Sequence, residues 1–252
     1  MGSPLCAHFL FLILFLHREC YFREMKNAMN APGFWQRVPL IYVVAPIVFW
    51  FVSGCSVRPP RESGDFKQTD LVELIKLDSG IKLDIRYATP NNLVGRPVYT
   101  EARAFLQRPA AMALIKVNEE LKPLGYGLLI FDGYRPWSVT KLFWDITSKE
   151  NKKFVADPQK GSKHNRGCAV DLSLYDLATG KEIEMPGIYD EMSERSYPGY
   201  SGGTVEQRQM RDLLRARMEA NGFTVYDYEW WHFDYRDWPS YRITNIPFAD
   251  IK

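Results

Sequence analysis

The sequence has few cysteines and no long run of basic residues. It contains four cysteines in 252 residues, and its formal net charge at neutral pH is +2. A nearly neutral chain without a basic cluster lacks the electrostatic footprint of nucleic-acid binding, so we exclude nucleic acid as a partner. The length suits one medium-sized domain with appendages, and an apolar content of 46% is sufficient for a core.

The chain also lacks a clear membrane-spanning segment. Residues 38–52 form an uncharged apolar run behind Arg37, but the run is short and contains Pro39 and Pro46, which weaken a helix. A short apolar run behind a basic flank is typical of a secretory signal. The following Val52–Cys55 resembles a bacterial lipobox, in which the cysteine is lipidated and becomes the mature N-terminus. The alternative is an uncleaved anchor helix.

A second apolar run at residues 5–16 lies upstream of this signal. Two consecutive signals would be unusual, whereas a start at Met25 or Met29 would give a conventional signal peptide. We therefore interpret residues 1–24 as an over-extended gene start.

These features predict a signal and lipoprotein anchor over residues 1–55, with Cys55 carrying the lipid. The protein is then exported to the periplasm or cell envelope and attached to a membrane, and Ser56 favours the outer membrane of a Gram-negative host. Cys168 would be the single cysteine of the exported domain, which excludes a disulfide framework. We expect Cys168 to be a buried small residue.

A polar linker at residues 56–70 is predicted to precede a domain spanning residues 71–252. Apolar residues alternate in some segments and recur at helical spacing in others, without a regular βαβ period. This mixture predicts an α+β fold, in which helices pack on a small, mainly antiparallel sheet. Strands are expected at 81–87, 127–131, 167–174 and 229–235, and helices at 110–122, after Ser138 and after Thr204.

One candidate metal site involves His164 and Asp171. Asp171 lies seven positions after His164, across a loop and the start of a strand, and Gly167 would let the backbone turn closely around a bound ion. Alternation in that strand puts Asp171 on the face opposite Val170 and Leu172. Taken singly, however, the two residues are more typical of a surface or capped core histidine and of an aspartate that ends a strand or meets solvent than of metal ligands.

Glu229 and His232 form a second polar pair in an aromatic segment. Side chains three residues apart point to opposite faces of an ideal strand, so a bulge must bring both to one site. The alternative is a surface glutamate and a histidine packed among aromatic rings, and spacing alone leaves both open. With the first pair they would supply three metal ligands and a base, which is what a metal-dependent hydrolase requires.

Arg135 follows Asp132 and Gly133 at the end of a predicted central strand. From this position its side chain can reach over a site and stabilise the oxyanion that forms when water attacks a carbonyl. The alternative role is a salt bridge to Asp132 or to another carboxylate.

Several motifs together resemble a known family over about residues 71 to 240. The histidine, aspartate and glutamate segments resemble the zinc signature of the D-Ala-D-Ala peptidase superfamily, and three further segments resemble its D-alanyl-D-alanine dipeptidases of the vancomycin-resistance type. The motifs are Ser162-x-His164-x-x-Gly167-x-Ala-Val-Asp171, Glu229-x-x-His232, Asp84–Gly95, Asp132–Pro136 and Asp190–Arg195.

This resemblance implies a dipeptidase that uses one zinc ion per chain to cleave a small D,D-dipeptide, D-Ala-D-Ala, into two D-alanine molecules. It also implies a small pocket, which the loop at residues 185–200 could wall. The predicted lipid anchor departs from the many relatives of this type that lack a signal. By residue, the resemblance implies zinc ligands at His164, Asp171 and His232, a catalytic base at Glu229, a transition-state arginine at Arg135 and substrate contacts at Ser162 and Tyr87.

Two other functions are compatible with the same residues. A D,D-carboxypeptidase or peptidoglycan endopeptidase would use this metal set in an open cleft, and a zinc-dependent peptidoglycan-binding lipoprotein would not catalyse at all. Because an exported enzyme cannot remove D-Ala-D-Ala before its cytoplasmic incorporation, we expect a role in cell-wall turnover or D-alanine recovery.

Overall fold

Helices pack on two sheets in residues 58–252, which are the part of the chain that the computed structural model describes. This α+β architecture confirms the predicted fold class. The strands are β1 (Leu71–Glu73), β2 (Lys82–Leu83), β3 (Phe105–Gln107), β4 (Tyr126–Asp132), β5 (Ala169–Asp176), β6 (Phe223–Tyr226) and β7 (Glu229–Tyr235). The helices are α1 (Leu74–Leu77), α2 (Arg108–Leu121), α3 (Trp137–Ile146) and α4 (Val205–Ala220).

The larger sheet has five strands in the order β2-β4-β5-β7-β6. Its pairings are antiparallel except for the parallel pair of β2 and β4. Strands β1 and β3 form a separate antiparallel pair. The prediction of a mainly antiparallel sheet is therefore confirmed, and the order places β4, β5 and β7 side by side in its middle.

Strand β5 is buried on both faces. Val170, Leu172 and Leu174 are fully buried on one face, and burial of each apolar side chain contributes roughly 1.5–3 kcal/mol. On the other face Asp171 is only 2% exposed. The predicted alternation is correct, and the aspartate faces an enclosed site instead of open solvent.

Helix α4 begins with the predicted capping box. The Thr204 hydroxyl accepts a hydrogen bond from the Gln207 amide at 3.2 Å, and the Gln207 side chain accepts one from the Thr204 amide at 2.9 Å. Such a cap typically stabilises a helix by about 1 kcal/mol. Helix α4 then packs with Leu214 and Met218 buried on the side that faces the sheet.

Two local predictions were wrong. The alternating segment 81–87 is a strand only at β2, because the chain turns at Arg86–Ala88 in a short 3₁₀ helix that buries Tyr87. Helix α3 does not use Ser138 as its cap. It begins directly after Pro136, and a distant oxygen, Asn245 Oδ1, accepts the Ser138 amide at 2.9 Å.

The predicted signal and anchor over residues 1–55, including Cys55, lies outside the described residues. Within residues 58–252, no helix combines the length and apolar character needed to cross a membrane. The described part of the predicted linker contacts the domain. The Lys67 amide donates to the Ser240 carbonyl at 2.8 Å, and Glu62 pairs with Arg166.

Candidate active site

Strand register aligns three polar side chains in the middle of the sheet. Asp132 at the end of β4 lies opposite Asp171 of β5, and Asp171 lies opposite His232 of β7. Directly opposed residues on neighbouring antiparallel strands project from the same face, with Cβ atoms about 5 Å apart. The sheet therefore brings together two carboxylates and an imidazole from segments that are distant in sequence.

His164 reaches this row from the short 3₁₀ turn His164–Arg166, just before β5. Gly167 ends the turn with a φ of +68°, in the left-handed region that favours glycine. A Cβ atom there would lie 2.5 Å from Leu71 Cδ2. Gly167 thus permits both the turn and close packing against β1, rather than the close approach to an ion that we expected.

Three possible ligand atoms converge at one point. His232 Nδ1 lies 3.0 Å from both His164 Nε2 and Asp171 Oδ1, and His164 Nε2 lies 3.3 Å from Asp171 Oδ1. Tetrahedral zinc with bonds of about 2.0–2.1 Å has ligand atoms about 3.3 Å apart. All three residues are buried, so these separations fit a shared metal ion.

Outer hydrogen bonds determine which ring nitrogens face the centre. His164 Nδ1 donates to the Gly133 carbonyl at 2.7 Å, and His232 Nε2 donates to Asp234 Oδ1 at 2.9 Å. In the neutral rings, the inward nitrogens then carry lone pairs, as does the Asp171 oxygen. Three lone pairs that face one another repel unless a cation lies between them, so the donor set fits a divalent metal.

The charge of the site also favours a cation. Burial would raise the pKa of Asp171, but His164 and His232 hold it well below its usual range. Burial lowers the pKa of His232, yet Asp234 and Asp171 outweigh it and raise the pKa to about 10. The carboxylates that stabilise protonated His232 also attract a divalent ion, and metal binding releases such protons.

An irregular register places Glu229 beside the candidate ligands. Val225 of β6 pairs with Phe233, but the next residue, Tyr226, pairs with Glu229. This shift brings a Glu229 oxygen to 3.8 Å from His232 Nδ1, as the predicted bulge required. Burial is the main cause that raises the pKa of Glu229 to about 8, although His232 opposes it. A carboxyl group tuned toward neutrality suits proton transfer.

Arg135 forms the salt bridge to Asp132 that was considered as its alternative role, and it lies beside the candidate ligand Asp171. Its Nε and Nη2 atoms each lie 2.8 Å from Asp132 Oδ2, and Nη2 lies 3.4 Å from Asp171 Oδ2. The guanidinium also lies over the rings of Tyr87 and Phe143. Burial acts to lower the pKa of Arg135, but Asp132 outweighs it, so the group is a fixed cation on the site wall.

Asp190 is a site residue for which we predicted no role. The Tyr87 hydroxyl donates to its two oxygens at 3.0 and 2.9 Å. Burial, followed by the charge of Asp171, raises the pKa of Asp190 to about 7. Its φ of +63° is the only left-handed backbone angle of a non-glycine residue in residues 58–252, and such strain concentrates at functional sites. Asp190 is the first residue of the family-like segment Asp190–Arg195, but no spacing pattern in the sequence assigns it a role.

Asp132 and Asp234 were also missed as site residues. Asp132 holds Arg135 and accepts from the Tyr99 hydroxyl at 2.9 Å, and Asp234 holds His232. Asp234 had a detectable signal, because residues two apart in a strand share a face.

One cavity of about 540 Å³ is lined by the candidate ligands His164, Asp171 and His232, together with Arg135, Asp190 and Glu229. Ser162 and Tyr87, the predicted substrate contacts, both line it, and Ser162 Oγ accepts from the His164 amide at 3.2 Å. From the 185–200 loop, the lining includes Asp190, Glu191 and Met192. The loop is therefore part of the wall, as we expected.

Cys168 does not contribute to this cavity. It is fully buried, and burial raises the pKa of its thiol to about 12. A thiol that is neutral at physiological pH is neither a nucleophile nor a ready metal ligand.

Comparison with known proteins identifies the family of the chain. A family profile described as D-ala-D-ala dipeptidase matches residues 67–250. A D-alanyl-D-alanine dipeptidase of Enterococcus faecium is 37% identical over 181 residues, which cover 64% of this chain and 88% of that protein. The Escherichia coli K12 dipeptidase is 34% identical, with coverage of 72% and 92%. A vancomycin-resistance D,D-dipeptidase crystallised with a D-Ala-D-Ala phosphinate analogue is 19% identical, with a TM-score of 0.34 and coverage of 67% of both chains. The chain therefore belongs to the D-Ala-D-Ala dipeptidase family and is a metallo-dipeptidase.

Proposed function

We propose that this enzyme cleaves D-Ala-D-Ala into two D-alanine molecules with one zinc ion bound per chain. The observation that carries the proposal is the convergence of three buried atoms, His164 Nε2, Asp171 Oδ1 and His232 Nδ1, within 3.3 Å of one another. Two neutral nitrogens and one carboxylate form a typical catalytic zinc donor set, which leaves a coordination position open. When bound, zinc supplies Lewis acidity, which lowers the pKa of water and polarises a carbonyl group.

Glu229 is the proposed proton carrier. Its carboxyl group is buried, lies next to His232 and lines the cavity. In its ionised form it removes a proton from the attacking water, and it then delivers that proton to the leaving amine. One carboxyl group thus serves both halves of the reaction.

Arg135 is the proposed stabiliser of the oxyanion. Its ion pair with Asp132 fixes the guanidinium, so little reorganisation is needed as negative charge develops on the substrate. Loss of one such donor typically lowers the rate by about 100- to 1,000-fold.

Asp190 and Tyr87 support recognition of a substrate with a free amino terminus. A dipeptide carries an ammonium group close to the bond that is cut, and Asp190 is a carboxyl group on the cavity wall. Tyr87 donates to both Asp190 oxygens and so holds the carboxylate in place. Ser162 is the proposed third substrate contact, beside the ligand His164.

A direct assay tests the proposal. Purified enzyme with zinc restored is incubated separately with D-Ala-D-Ala, with L-Ala-L-Ala and with a muramyl pentapeptide, and the alanine released from each is measured. We expect rapid hydrolysis of the D,D-dipeptide by the wild type and hydrolysis at least about 100-fold slower by the Glu229→Gln variant. Preference for the pentapeptide would favour the carboxypeptidase alternative. Binding of peptidoglycan fragments without hydrolysis would favour the binding lipoprotein.

We further propose that the enzyme is exported and anchored by lipid on Cys55, where it serves cell-wall turnover or D-alanine recovery. Support comes from the apolar run at residues 38–52 and the lipobox-like Val52–Cys55. In cells grown with labelled palmitate, the wild-type protein is expected to carry the label and the Cys55→Ala variant is expected to lack it. Cell fractionation should place the enzyme in the outer membrane. Recovery of unlipidated enzyme in the cytosol would overturn the proposal.

A further inference from the structure

The turn that carries His164 forms an ion pair with Glu62, a residue that precedes the region matched by the family profile. Arg166 is the last residue of that turn and lines the cavity. Its guanidinium lies 2.5 Å from a carboxylate oxygen of Glu62, and the two side chains are only 10% and 18% exposed. The family profile begins at residue 67, so this buried ion pair adds a contact from outside the matched region.

Glu62 also binds the chain at Ile243, which packs against the same turn. Its second oxygen accepts a hydrogen bond from the Ile243 amide at 2.7 Å. The Ile243 side chain packs so closely on Gly161 that a Cβ atom there would lie 2.2 Å from Ile243 Cδ1. Arg166 in turn donates to the carbonyl of Tyr241. One carboxylate therefore joins the chain before the domain to both sides of the metal-ligand turn.

We propose that Glu62 is a positioning residue that acts through Arg166 on the candidate metal ligand His164. A buried guanidinium that loses its carboxylate partner is strongly unfavourable, because the charge is left uncompensated. Arg166 then shifts toward solvent and draws the turn with it, which moves His164 away from Asp171 and His232. The proposal rests on the proposed function only in taking these three residues as metal ligands.

Metal affinity tests the proposal without any substrate. Cobalt(II) binding to the full-length protein is measured by chelator competition and by its visible spectrum, for the wild type and for Glu62→Ala. Changes to residues that hydrogen-bond a metal ligand typically weaken metal binding by 10- to 100-fold, and we expect about tenfold from this more remote residue. Glu62→Gln, which keeps an acceptor for the Ile243 amide, should lose less. Glu219→Ala, which removes a carboxylate paired with Arg215 on the exposed face of α4, is the matched control.

Arg166→Met separates positioning from general stability. If Glu62 acts through Arg166, then Glu62→Ala weakens cobalt binding in the wild type but has no further effect in the Arg166→Met background. Affinity equal to that of Glu219→Ala, or the same loss in both backgrounds, would overturn the proposal. If Glu62→Ala does not fold, Glu62→Gln is compared in its place.

Failure of this proposal is distinguishable from failure of the proposed function. A wild type that binds cobalt but does not cleave D-Ala-D-Ala refutes only the dipeptidase activity. An active wild type whose Glu62 variants keep full metal affinity refutes only the positioning role.

Discussion

Replacement of Asp234 by asparagine tests the inferred metal site most directly. Asp234 Oδ1 accepts from His232 Nε2 at 2.9 Å, and Asp234 Oδ2 pairs with Lys163 at 3.1 Å. This contact leaves His232 Nδ1 free to face the other two ligands. Asparagine preserves the shape but removes the negative charge, so the ring is a weaker ligand and its orientation is less constrained.

The expected loss of metal affinity is about 10- to 100-fold, the range typical of such outer partners. Weaker zinc binding also lowers the free energy of unfolding measured in the presence of zinc. At a free zinc concentration 100 times the wild-type Kd, binding stabilises the fold by about 2.7 kcal/mol. The same concentration stabilises a variant with tenfold weaker binding by about 1.4 kcal/mol, and one with 100-fold weaker binding by about 0.4 kcal/mol.

Two measurements check these values: chelator competition for the Kd, and urea unfolding with and without zinc for the stabilisation. Asp237→Asn is the matched control, because it removes a nearby carboxylate whose partner is the exposed Lys67. Wild-type zinc affinity in Asp234→Asn would refute the assignment of His232 Nδ1 as a ligand atom. An equal loss in Asp237→Asn would instead indicate a general effect of charge.

Three further predictions follow from single residues. Glu229→Gln should lower kcat by about 100- to 10,000-fold while metal content stays unchanged, and a kcat above one tenth of the wild-type value would contradict its role as the base. Only ionised Asp190 pairs with an ammonium group, and burial raises its pKa to about 7. KM for D-Ala-D-Ala should therefore fall as pH rises through about 7. The Asp190→Asn variant should have a high KM without that pH dependence. The same pH profile of KM in both proteins would contradict the role of Asp190 in binding the ammonium group. Gly167→Ala should destabilise the metal-free protein in urea unfolding by about 1–3 kcal/mol from backbone strain, plus the clash with Leu71. Gly95→Ala is its control, with a φ of +72° but open space around the Cβ position, and equal losses would show that the clash is negligible.

The spacing of residues in the sequence was sufficient to predict several structural elements. Period-two alternation correctly placed Asp171 on the face opposite Leu172, because successive side chains of a strand point in opposite directions. The capping box at Thr204 was correct, since both of its hydrogen bonds form within four residues. The mixture of helical and strand patterns without a βαβ period predicted the α+β fold.

Local patterns were insufficient wherever a distant segment supplied a partner. Serine is a typical helix cap, but at the start of α3 it is the side chain of Asn245 that accepts a backbone amide, that of Ser138. The region predicted as a linker contributes Glu62, whose partner Arg166 lies 104 residues away. Such contacts depend on how segments pack, and one sequence without its fold does not specify that packing.

The candidate site divides in the same way. The sequence by itself determined the chemical types available, two imidazoles and two carboxyl groups in short motifs, and their resemblance to a family indicated a metal-dependent hydrolase. Only the tertiary structure decided that the register shift between β6 and β7 turns Glu229 toward His232, and that Asp190 meets Tyr87 across 103 residues. The physical reason is that spacing encodes which face a side chain takes, whereas strand register and packing decide which faces meet.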